Sequence, residues 1–72
     1  MTAAERDLLV AVMEALTLPF GASAYERRIA GRADWVCATL KGVLVDGDPE
    51  WHADYLRRKL REEEARHTGG TP

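Results

Sequence analysis

Apolar positions recur at three- and four-residue spacings in three separate runs and nowhere alternate, so the sequence predicts helices and no strands. In the first run, residues 2–17, Leu8, Leu9, Val12, Met13 and Leu16 fall within an arc of roughly 140° at the helical period, opposite Asp7 and Glu14. It opens on TAAE, a capping box in which the Thr2 hydroxyl accepts from the Glu5 backbone while the Glu5 carboxylate reaches back. LPFG ends it, because Pro19 turns Leu18 away from helical dihedrals.

The second run starts at SAYE, read as another capping box with Ser23 as cap and Glu26 as its partner, and continues to about Val45. Tyr25, Ile29, Ala33, Val36, Cys37, Leu40, Val43 and Leu44 share an arc of roughly 120°, which predicts their burial on one side of a single long helix. Gly31 and Gly42 inside it each cost about 1 kcal/mol relative to Ala. After VDGDPEW, with Asp48 as cap and Pro49 at the first helical position, a third helix is predicted to about His67, using Trp51, Tyr55, Leu56 and Leu60. REEEARH offers little to bury, so its last turns are predicted to be solvated. They would be held by i,i+4 charge pairs (Asp54–Arg58, Arg58–Glu62, Lys59–Glu63, Glu62–Arg66) worth about 0.3 kcal/mol each.

The predicted fold is all-α: a small three-helix bundle with a long central helix and a charged, partly exposed C-terminal helix end. Residues 1–67 form its single domain and residues 68–72 a disordered polar tail.

Size sharpens this picture. A domain of this length buries only about 60% of its unfolded surface and is marginal without a staple. Cys37 is the sole cysteine, so no intrachain disulfide forms, and His52 and His67 lie too far apart for zinc-ligand spacing. Association is the staple that remains, which predicts a homo-oligomer. The N-terminal run carries a charged pair where a signal peptide needs apolar residues, and no stretch reaches membrane-spanning length, so the expected location is the cytoplasm without membrane contact. The Arg- and Ala-rich composition, free of Asn and Gln, is what a GC-rich bacterial or phage genome writes.

Candidate chemistry is sparse. Acids at 46, 48 and 50 begin like a calcium loop, but Trp51 and Arg57 stand where its glycine and final glutamate belong. Cys37 reads as a buried small hydrophobe, His52 as an edge residue closing a small core, and Glu62, Glu63 and Glu64 as a solvated charge run. No nucleophile–base order, phosphate-binding glycine loop or zinc-protease motif occurs. The sequence therefore predicts a non-enzyme with no cofactor and no metal.

RRIAGRADWVCATLKGVL has the outline of a helix-turn-helix, but the apolar phase runs unbroken from Tyr25 to Leu44, leaving no room for the turn. A net charge of −2 also disfavours nucleic acid as a partner.

Trp35 falls outside the second arc, beside Gly31, Ala38, Thr39 and Gly42, with Arg28 and Arg32 one turn earlier. Either it packs within the chain or it marks a second face for another chain, since Trp and Arg dominate binding hot spots. The expectation is a small non-enzymatic protein–protein interaction module. It would self-associate or bind a larger protein as accessory, adaptor or inhibitor, of the kind phages and mobile elements encode. Its face would comprise Arg28, Gly31, Arg32, Trp35, Thr39 and Gly42, with Trp51 and Tyr55 as a second aromatic candidate. The alternative is a small helical nucleic-acid-binding transcriptional regulator using Arg27, Arg28 and Arg32.

Overall fold

The computed structural model describes residues 1–69, and positions 70–72 of the expected tail lie outside them. Three helices form: α1 (Ala3–Leu16), α2 (Tyr25–Asp46) and α3 (Pro49–Glu64), the last running on into a π-helical turn, Ala65–Gly69. No helix among the described residues is long and apolar enough to cross a membrane.

The predicted capping box holds α1. The Glu5 N–H donates to Thr2 Oγ1 (3.1 Å) and the Thr2 N–H to Glu5 Oε1 (2.7 Å). The second capping box does not form. Ala24, at φ 51°, turns the chain through the left-handed region immediately before Tyr25, which leaves Ser23 outside the helix; α2 starts without a side-chain cap. It then runs unbroken through Gly31 and Gly42 to Gly47, whose positive φ of 68° lets its N–H close on Val43 O (2.8 Å). Asp48 caps α3 by accepting from Trp51 N–H (3.1 Å), and Asp46 Oδ1 accepts from Asp48 N–H (3.0 Å). The acids of DGDPE thus shape a corner.

The three helices run up, down and up. Glu63 of α3 reaches Arg28 and Arg32, while His52 at its other end sits on Gly42, so α2 is antiparallel to α3. Arg57 of α3 bridges Asp7 (2.7 Å) and Glu14 (3.3 Å) on one flank of α1. The core is Leu8, Ala11 and Ala15 from α1, Val36 from α2, and Ala53, Leu56 and Leu60 from α3, with Val12, Trp35 and Val43 packed at its edge. Alanines at the centre let the backbones approach closely.

In this packing α1 and α2 are rotated away from the predicted phase. On α1, Leu8 is buried but Leu9, Met13 and Leu16 are exposed. On α2, Val36 is buried and Tyr25, Ile29 and Val43 are half-buried, whereas Ala33, Cys37, Leu40 and Leu44 face outward. Arg28, Arg32 and Thr39 go inside instead. Cys37 is accordingly a surface thiol, and the predicted arc of α2 lies roughly 90° from the side that is buried.

Leu56 is the one large side chain among the described residues with no exposure at all. Leu56→Ala leaves a cavity at the point where all three helices meet, and is expected to lower the unfolding free energy by about 3 kcal/mol. Urea denaturation would record this as a lower midpoint at an unchanged slope.

Candidate interaction surfaces

Arg28 and Arg32 are one helical turn apart on α2 and point the same way, toward the end of α3. Arg32 grips Glu63 with two bonds, Nε to Oε2 (3.0 Å) and Nη2 to Oε1 (2.9 Å), and Arg28 Nη2 adds a third to Oε1 (2.7 Å). The same two Nη2 atoms reach Glu64 Oε1 at 3.0 and 2.5 Å. Two further donors reach backbone carbonyls: Arg32 Nη1 to Ala15 O at the C-terminus of α1 (3.2 Å), and Arg28 Nη1 to Ser23 O in the turn before α2 (3.3 Å). Glu63, expected in a solvated run, is 3% exposed. Lys59 pairs instead with Glu62 (3.6 Å).

The hydrogen bonds from Arg32, then those from Arg28, hold the Glu63 carboxyl at a pKa of about 2, against the opposing effect of burial. The Arg32 guanidinium is correspondingly raised, chiefly by Glu63. The hydrogen bond from Arg57 lowers the exposed Asp7 carboxyl in the same way.

A different arrangement occupies the seam between α2 and α3. Trp51 and Tyr55, four apart on α3, stack with ring centroids 5.4 Å apart and planes 11° from parallel. They form one wall of a groove of about 310 Å³, with Trp35 and Thr39 opposite and Leu56 below. Lys59 Nζ lies 5.6 Å above the Trp35 ring, and Arg58 covers Tyr55 at 5.8 Å. His52 completes the far end, its Nε2 2.8 Å from Asp46 Oδ2, an interaction that lowers the Asp46 pKa.

Four of the eight residues singled out in the sequence, Trp35, Thr39, Trp51 and Tyr55, therefore share one groove. Trp35 is half-buried and packs against the core, and Thr39 is buried. Gly42 belongs to helix packing, since a Cβ there would strike the His52 ring. Gly31 has open space above it, in a shallow dip with Arg27, Arg28 and Glu63. Arg28 and Arg32 leave the surface altogether, because their charges are matched inside the chain. The sequence reading missed Glu63 as their partner, although two arginines at i,i+4 on the side of α2 that must meet a neighbour call for an acid on that neighbour.

Among the described residues, no group of three or more His, Cys, Asp or Glu side chains is placed to hold a metal ion. Comparison with protein-family models, curated proteins and solved structures gives no match.

Glu63→Gln keeps the shape and removes the charge, leaving two buried guanidiniums with only the half-exposed Glu64 as counter-ion; the expected loss is about 3 kcal/mol. Because the folded carboxyl lies below its unfolded value of 4.5, Glu63 contributes stability that is complete above about pH 4.5 and is lost as pH falls through about 2. Thermal unfolding followed between pH 6 and 2 should show a clear fall in Tm below about pH 4.5, and a shallower one in Glu63→Gln.

Proposed function

We propose that the chain is a small non-enzymatic protein-interaction module whose α2–α3 groove seats an apolar side chain of a protein partner. The supporting observation is the Trp51–Tyr55 stack: two aromatic faces held parallel, with Trp51 55% exposed and Tyr55 40% exposed in the absence of any partner. Aromatic anchors that are already ordered lose little rotamer freedom on binding, which is why they concentrate at hot spots. A space of about 310 Å³ suits one or two side chains.

The alternative of a nucleic-acid regulator loses its main argument. Of the basic cluster Arg27, Arg28 and Arg32, two members are buried against Glu63 and Glu64, and neither can reach a phosphate without breaking those bonds.

Trp51→Ala tests the groove better than Trp35→Ala, since Trp35 also supports the core. The variant should keep its helical circular dichroism. In quantitative pull-downs from the native host, at least one protein that cross-links to groove residues of the wild type should lose affinity about 30-fold or more, the scale of a hot-spot residue. Retention of every bound protein by Trp51→Ala would overturn the assignment, as would binding of duplex DNA at low salt that survives the substitution.

A further inference from the structure

The rotation of α1 and α2 leaves apolar surface on the side of the bundle opposite α3. On α1, the flank bearing Asp7 and Glu14 is tied to α3 through Arg57, Leu8, Ala11 and Ala15 face the core, and the remaining flank carries Leu9, Met13 and Leu16. On α2, the flank facing α3 is marked by Gly42 against His52 and Trp35 under Lys59, and the remaining flank carries Ala33, Leu40 and Leu44. Both spare flanks therefore border the same α1–α2 groove, from the side that α3 does not occupy. Met13 is 67% and Leu44 85% exposed.

We propose that this face is covered by a second copy of the chain, its α1–α2 layer stacked on that of the first to give a central four-helix arrangement about a twofold axis. The proposal deepens the reading of an interaction module by naming one partner, and it is independent of the aromatic groove.

Three observations select a second copy. Between Leu9 and Leu16, and between Ile29 and Leu44, the spare flanks carry no charged side chain, so pairing the face with itself brings no like charges together. The side chains named above expose on the order of 550 Å², about two thirds of the ≈ 800 Å² that each partner of a standard stable interface buries. At the outer rim of α2 stand Asp34 and Lys41, two turns apart and of opposite sign, and among the described residues neither has an ion-pair partner. When α2 runs antiparallel to the α2 of a second copy, Asp34 of each faces Lys41 of the other, the reciprocal contact an isologous interface demands.

The test is the solution mass of the full chain by sedimentation equilibrium, with Met13→Glu and Leu44→Glu as variants at sites too exposed to affect folding of the monomer. Wild type should sediment as a dimer of the 8.0 kDa chain, and each variant should weaken dimerisation about 100-fold or more at unchanged helicity, since it buries an unpaired carboxylate. Cys37, exposed on the same flank, provides a second readout: its reaction with a soluble thiol reagent should be slow in the wild-type dimer and fast in both variants. A wild type that is monomeric at 100 μM overturns the proposal. So does a dimer that neither glutamate weakens, or one that Trp51→Ala dissociates, which would place self-association at the aromatic groove; loss of a heterologous partner on Trp51→Ala with the dimer intact would leave both readings standing.

Discussion

Moving a guanidinium out of water costs several kcal/mol, and this chain does it twice within one helical turn. The cost is offset because all but one of the donors find an acceptor and most of those acceptors are charged. Glu63 takes three of the bonds, Glu64 takes two, and the Ala15 carbonyl, at the negative end of the α1 dipole, takes another. Two cations and two anions leave the cluster neutral, and its members come from all three helices. One cost is left over: Arg28 Nε is buried without an acceptor. A hydrophobic cluster of the same volume would hold these helices together with less loss, but it would not dictate which side of α2 turns inward.

That dictation reaches the rest of the molecule. With Arg28, Arg32 and Thr39 inside, the positions roughly 100° further round α2 cannot be inside as well. Ala33, Leu40 and Leu44 are turned out, and α1, which must present Ala15 to Arg32, turns Leu9 and Met13 out with them. The same rotation brings Trp35 and Thr39 against α3 and so creates the groove that Trp51 and Tyr55 wall. The spare apolar face and the aromatic groove are two results of one choice of helix phase.

Much of this was legible from the residues, and what was not has a specific reason. Helix number, order and most termini follow from local chemistry that acts within four residues: the Thr2–Glu5 box, Asp48 before Pro49, Gly47 at the end of α2. The start of α2 failed because SAYE satisfies the capping pattern while Ala24 adopts a positive φ that no preference of alanine predicts. Rotational phase failed more broadly, since a helical wheel ranks faces by apolarity, and α2 buries its arginines in preference to its leucines. Burial of an arginine depends on an acid 31 or 35 positions away, which no local window contains. Trp35, Trp51 and Tyr55 draw attention in the sequence because large aromatics at helical spacing stand out wherever the phase falls; that they share a groove required the register of α2 against α3.

Folding and the proposed dimerisation would place different demands on the same 22 residues of α2. One side supplies the ionic cluster and Val36, and the monomer depends on it. The adjoining side supplies Leu40, 37% exposed, and Leu44, which at 85% is about as exposed as in an unfolded chain and contributes almost nothing to the monomer. A core containing three alanines and a single fully enclosed leucine is thin for a chain of this length, while apolar side chains sufficient to thicken it sit on the surface. A sequence under pressure only to fold would exchange the two sets, placing leucine at 28 and 32 and arginine at 40 and 44. Keeping the charges inside and the leucines outside makes sense when a second surface, and not the monomer, is where the leucines are buried.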